Sequence, residues 1–224
     1  MSVILEIAGF LFCISGWIMV GAVLSNSYWK VSSNLGSVIT SSTIYENLWR
    51  SCAEDSTGVS NCREFDTLLA LPAYIQACRA LMVISLILGL FGVLVTVFGL
   101  ECTQLGHSNK YTKAKIATTG GMLFILSGLS SMVAVSWYAS MITAQFFDSL
   151  YAGTKYELGH ALYIGWAGSL ISILGGILVT CSCKGIKKQN HRNFNYGSAT
   201  TQKANEQLIY NKALETVTSV KDYV

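Results

Sequence analysis

The stretch Asn47–Cys62, NLWRSCAEDSTGVSNC, decides how the rest of the chain is read. It packs two cysteines, a tryptophan, an arginine and a Glu-Asp pair into a segment set among apolar runs. Residues 55–61, DSTGVSN, form a turn-favouring run around Gly58 that lets Cys52 and Cys62 meet. A bridge between them restricts the unfolded loop by roughly 3 kcal/mol on the chain-entropy model. A metal site would need further ligands, and no histidine or third cysteine lies near. A disulfide is therefore expected. Upstream, 25–33 (SNSYWKVSS) and 37–49 (SVITSSTIYENLW) are rich in β-branched and aromatic residues, as strands are.

Outward from this stretch the chain becomes apolar. It is 52% hydrophobic and only 12% charged, against about a quarter charged in soluble domains. Four runs, about 3–24, 81–100, 116–142 and 161–180, are each long enough to cross a hydrocarbon core as a helix. Glu6 is the one charge within them, and with no basic residues before it the first run reads as an uncleaved span rather than a signal peptide. The basic residues set the orientation. Lys110, Lys113 and Lys115 lie between the second and third runs, and Lys184, Lys187, Lys188, Arg192, Lys203, Lys212 and Lys221 follow the fourth. These are 10 of the 15 Lys and Arg, so both termini are expected in the cytosol. Loops 25–80 and 143–160 then face the exterior, where disulfides persist. Both loops are acidic on balance, so the overall charge of +3 hides an anionic outer face and a basic inner one.

This divides the chain into a four-span domain, 1–183, and a polar tail, 184–224, expected to be disordered. Small residues recur in the spans at Gly16 and Gly21, Gly89 and Gly92, Gly120 and Gly121, Gly165 and Ser169, and Gly175 and Gly176. In lipid, close packing at such residues drives helix association, which predicts a left-handed four-helix bundle. The spans hold no acid–base chain of the kind pumps use. His107, His160 and His191 fall in separate segments, and no nucleophile–base pair or phosphate loop occurs, so no enzyme activity and no cofactor or metal are expected. Nor is a nucleic-acid partner. Cys102, Cys181 and Cys183 flank the spans on the inner side, where thiols are either acylated or left unmodified. The terminal Asp222, Tyr223 and Val224 suit a PDZ groove, which captures a C-terminal carboxylate beside an added strand.

Together these residues resemble the claudin family of tight-junction proteins. The family's first-loop signature, Trp, then Gly-Leu-Trp, then two Cys, appears as Trp29, Asn47-Leu48-Trp49, Cys52 and Cys62. Asn47 departs from the usual Gly, as in the branch holding claudin-10 and claudin-15. Arg79, LSNSYWKVS (24–32), DSTGVSNC (55–62), YAGTKYELG (151–159) and the terminal Tyr-Val also match. The resemblance implies a small antiparallel extracellular sheet, built from both loops, on top of the bundle. It also implies polymerisation, with itself and other claudins in the same and the opposing membrane, into strands at the tight junction of the plasma membrane. Zonula-occludens-type PDZ scaffolds are implied partners of the tail. Leu68 falls where the family inserts an apolar residue into a neighbour's pocket, with Phe146, Phe147 and Leu158 as that pocket. Asp55 aligns with the acidic selectivity position of the cation-conducting branch, with Glu64 and then Glu54 as further contributors to passage of Na⁺ and similar ions between cells. Two other readings stay open: a sealing claudin without conductance, and a four-span accessory subunit of another membrane protein.

Overall fold

The computed structural model describes residues 3–32, 42–65, 71–99, 110–148 and 154–182. Cys102, Cys183, Leu68 and Asp222–Val224 lie outside these residues. Four helices, α1 (Val3–Ser25), α2 (Ala73–Gly99), α3 (Lys110–Phe147) and α4 (His160–Ser182), are long and apolar enough to cross a membrane. Five short strands join them: β1 (Lys30–Ser32), β2 (Ser42–Glu46), β3 (Arg50–Asp55), β4 (Ser60–Glu64) and β5 (Tyr156–Leu158). They form one antiparallel sheet in the order β4-β3-β2-β1-β5. The sheet is thus built from both loops, since β5 of the second pairs with β1 of the first through Lys30 opposite Leu158.

The helices meet where side chains are smallest. A Cβ on Gly16 would come within 2.6 Å of the Ser172 amide, and one on Gly175 within 2.6 Å of the Cys13 amide, so α1 and α4 touch backbone to backbone. Gly176 and Gly121 make the equivalent contact between α4 and α3. Gly21 does not belong to this set; its Cβ would meet only Leu86 at 3.8 Å, an ordinary contact. Serines add hydrogen bonds that small-residue packing does not foretell. Ser85 Oγ donates to the Ser127 carbonyl at 2.8 Å and Ser127 Oγ returns one to the Ser85 carbonyl at 2.7 Å, tying α2 to α3. Ser131 and Ser169 hydroxyls pair at 2.7 Å between α3 and α4. Each satisfies a polar group that hydrocarbon would leave bare.

Two helices outrun their apolar segments. α2 opens at Ala73 and carries Gln76 and Arg79 in its first turns; α3 has 38 residues, about 57 Å at 1.5 Å per residue. That is nearly twice a hydrocarbon core of about 30 Å. The sheet end of α3 carries Tyr138 and Ile142 into a buried cluster with Trp29, Leu48, Cys78 and Met82. The sheet is rooted on this cluster.

Candidate functional site

The signature residues converge on that root. Trp29 is fully buried, donates from its indole Nε1 to the Val23 carbonyl at 2.8 Å, and meets Tyr138 edge-on at 5.2 Å. Its amide donates to the Glu46 carbonyl and its own carbonyl accepts from the Gly159 amide, so its backbone joins β2 to the end of β5. Asn47 turns the chain from β2 to β3. Its side-chain oxygen accepts from the Trp49 and Arg50 amides at 2.7 and 2.8 Å, and its amide nitrogen donates to the Asn26 carbonyl at 3.2 Å. This is what asparagine supplies where the family has glycine. No non-glycine described residue has positive φ, so position 47 needs a side-chain amide here and not glycine's freedom. Leu48 is buried within the turn, and Arg79 Nε donates to its carbonyl at 2.6 Å. The Arg79 guanidinium stands over the Trp49 ring at 4.8 Å, an exposed indole held by a cation–π contact. Cys78 is occupied as well, its thiol donating to the Ala134 carbonyl at 3.4 Å.

β3 and β4 form the hairpin that carries the acids. Cys52 and Cys62 are directly opposite and bonded as a disulfide. The turn closes with the Gly58 amide on the Asp55 carbonyl at 2.9 Å and the Asp55 amide on the Val59 carbonyl at 3.1 Å. Gly58 takes φ 78°, the left-handed conformation that an added Cβ disfavours.

Strand alternation separates Asp55 from Glu54 and Glu64. Cys52, Glu54 and Arg50 share one face of β3, with Tyr45 opposite Cys52 and Glu64 opposite Arg50. Asp55 falls on the other face with Ser51 and Ala53, and its partner across the ladder is Ser42. Each acid thus has its own surroundings. Asp55 is exposed at the hairpin tip and accepts from the Ser56 amide at 2.7 Å. Glu64 is exposed at the far end of the hairpin, about 17 Å away at 3.4 Å per residue, with Arg50 as its partner in the ladder register. Glu54 is half-buried near Tyr28, which stacks on Tyr45 at 4.4 Å and meets His160 at a tilt at 5.0 Å. Burial pushes the Tyr28 phenol up, and Tyr45 and the negative charge of Glu54 add to the shift, so Tyr28 stays neutral.

A fourth loop acid, Glu46, was not singled out by sequence because nothing in a linear reading pairs it. Lys30 Nζ lies 2.7 Å from its Oε2, and Ser51 Oγ and Tyr156 Oη both donate to its Oε1 at 3.1 Å. Lys30 also sits 4.2 Å above the Tyr156 ring. The pair is mostly buried, at 12% and 16% side-chain exposure, so Glu46 locks four strands together. Glu46→Gln leaves Lys30 without its counter-charge and should cost about 2 kcal/mol. A thermal melt of the purified chain checks this; an unchanged midpoint would contradict it.

The residues expected to join neighbouring molecules are at the end of α3. Phe146 and Phe147 meet edge-to-face at 5.5 Å; Phe146 is half-buried and Phe147 is 81% exposed. Lys155 Nζ donates to the Phe146 carbonyl at 3.0 Å, occupying a carbonyl at the helix end. Leu158 is half-buried against the Trp29 cluster, so of the three expected pocket residues Phe147 offers the most surface. Cys181 is exposed at the end of α4.

A model of the PMP-22/EMP/MP20/Claudin family matches residues 3–179. The chain is 55% identical to Claudin-15 of Mus musculus over 82% of both chains. It is 44% identical to Claudin-7 of Homo sapiens over 81% of this chain and 87% of that one, and 40% identical to Claudin-19 of Rattus norvegicus over 92% of both. The sheet rooted on Trp29, Leu48 and Arg79, the bridged hairpin, the four spans and these likenesses agree: the chain belongs to the claudin family of tight-junction membrane proteins.

Proposed function

We propose that this claudin assembles into strands between neighbouring cells whose sheets line cation-selective pores, with Asp55 as the principal selectivity residue. In this reading the sheet stands outside the cell, both termini lie in the cytosol, and 1–183 forms the strand while the 184–224 tail offers Asp222, Tyr223 and Val224 to PDZ scaffolds. Leu68 of one molecule seats against Phe147, beside Phe146 and Leu158, of the next. Cys102, Cys181 and Cys183 are available for acylation.

The observation that carries the reading is the placement of Asp55: an exposed carboxylate at the tip of a disulfide-clamped hairpin, with a serine, not a base, across the ladder. One carboxylate attracts a monovalent cation 4 Å away by about 1 kcal/mol in bulk water and about 4 kcal/mol at an effective dielectric near 20. It repels an anion equally, and salt screens part of both, leaving a graded preference for cations without stripping their water. Glu64 and Glu54 add to the field more weakly, because Arg50 faces the first and partial burial withdraws the second.

A sealing strand is the second reading. It is favoured by the neutralisation of Glu46 by Lys30 and by the basic Arg50 standing opposite Glu64 in the ladder, both of which weaken the field of the loop acids. A NaCl dilution potential across an epithelial monolayer with few claudins of its own separates the two. Expression should raise conductance and favour Na⁺ over Cl⁻; raised resistance without charge preference would establish the seal. Strands on expression in junction-free fibroblasts are expected in either case, and their absence would point to an accessory subunit.

A further inference from the structure

The outward faces of α3 and α4 change character at one level. Along α3 the exposed positions run Met122, Leu126, Leu129, Val133 and Trp137, then Ser140. Along α4 they run His160, Tyr163, Leu170, Leu174 and Ile177, then Cys181. Each apolar stripe thus ends, toward the sheet, in an aromatic residue followed by a polar one. The two ends are side by side: Trp166 donates from Nε1 to Ser136 Oγ at 3.1 Å across the helices and meets Tyr163 edge-on at 5.6 Å. Amphipathic rings at the edge of an apolar stripe are the composition of a membrane–water boundary.

The spacing agrees. From exposed Lys115 at the opposite end of α3 to Trp137 is about 22 residues, roughly 33 Å, and from Tyr163 to Cys181 about 18 residues, roughly 27 Å. Both match a hydrocarbon core of about 30 Å. We propose that Trp137, Tyr163 and Trp166 form a binding surface for the glycerol and headgroup layer of the phospholipid bilayer on the sheet side. This surface continues the lipid-facing stripes of the spans and sets the height at which the sheet stands. The part of α3 beyond Trp137, about ten residues and roughly 15 Å, then rises clear of the hydrocarbon, which puts Phe147 beyond the reach of lipid tails. Its exposed ring is left to a protein neighbour.

The test is tryptophan quenching in vesicles of phosphatidylcholine brominated either at carbons 6 and 7, near the boundary, or at carbons 11 and 12, near the bilayer centre. The full chain is compared with Trp137→Phe and Trp166→Phe. The fluorescence lost with each substitution should be quenched at least twofold more by the shallow bromines. A Tyr163→Trp variant, which adds a reporter without removing one, should gain fluorescence with the same shallow preference and covers the case that a substitution impairs folding. Equal or stronger quenching by the deep bromines would overturn the proposal by burying these rings in the hydrocarbon. Absence of quenching by both would overturn it by showing the surface covered by protein.

Discussion

Trp29→Ala should destabilise the purified chain by about 3–5 kcal/mol, read as a fall in its thermal unfolding midpoint in detergent. The side chain is fully buried, so truncation leaves a cavity between the sheet and the end of α3. The loss also removes the indole hydrogen bond to the Val23 carbonyl, leaving that carbonyl to the Asn26 amide at 3.2 Å, and removes the edge-on contact with Tyr138. Because the Trp29 backbone bonds both the Glu46 carbonyl and the Gly159 amide, a loosened Trp29 unfastens the two loops from each other as well as from the bundle. Trp29→Phe keeps much of the packing and loses the indole hydrogen bond, so it should fall between wild type and alanine. A Trp29→Ala midpoint within a degree or two of wild type would show that the sheet is rooted elsewhere.

Removing the disulfide should release the outer hairpin while leaving the helices intact. Every residue of β4 is exposed, so this strand has no buried side chain to hold it. The ladder to β3 and the Cys52–Cys62 bridge tie it to the sheet. In the double variant Cys52→Ser, Cys62→Ser the lost constraint is about 3 kcal/mol, more than the marginal stability of a two-stranded ribbon can replace. Hydrogen exchange should show amides of β4, 60–64, losing most of their protection while those of α3 remain unchanged. Retained protection in the hairpin would mean that the ladder alone orders it.

The helices were legible because length and low charge are enough to mark a span, and the bridge because Cys52 and Cys62 flank a turn-forming run. The ends of the helices were less so. Gln76 and Arg79 look like loop residues by composition, yet they belong to α2 because the helix continues past the apolar segment to reach the Leu48 carbonyl. Asn47 reads as a substitution for glycine, and only its three hydrogen bonds show why an amide side chain suits the turn. The grouping of Asp55, Glu54 and Glu64 as one acidic set was the least legible part. Adjacent residues on a strand point to opposite faces, and which residue faces which across a hairpin depends on register. That register sets Arg50 against Glu64 and Ser42 against Asp55, and so ranks the acids by their neighbours. The Lys30–Glu46 pair joins positions in different strands, and the Tyr156 ring contributed by the second loop helps to cover it.

The most direct measurement is the NaCl dilution potential of monolayers expressing Asp55→Asn beside wild type, with strands counted in both by freeze-fracture. Asparagine preserves the size of the side chain and an oxygen to accept from the Ser56 amide, so the turn should hold and strand density should not change. The Na⁺ over Cl⁻ preference should fall several-fold toward that of free solution, whereas Glu64→Gln, already faced by Arg50, should lower it less. An Asp55→Asn monolayer with intact strands and undiminished cation preference would contradict the assignment of selectivity to the hairpin tip.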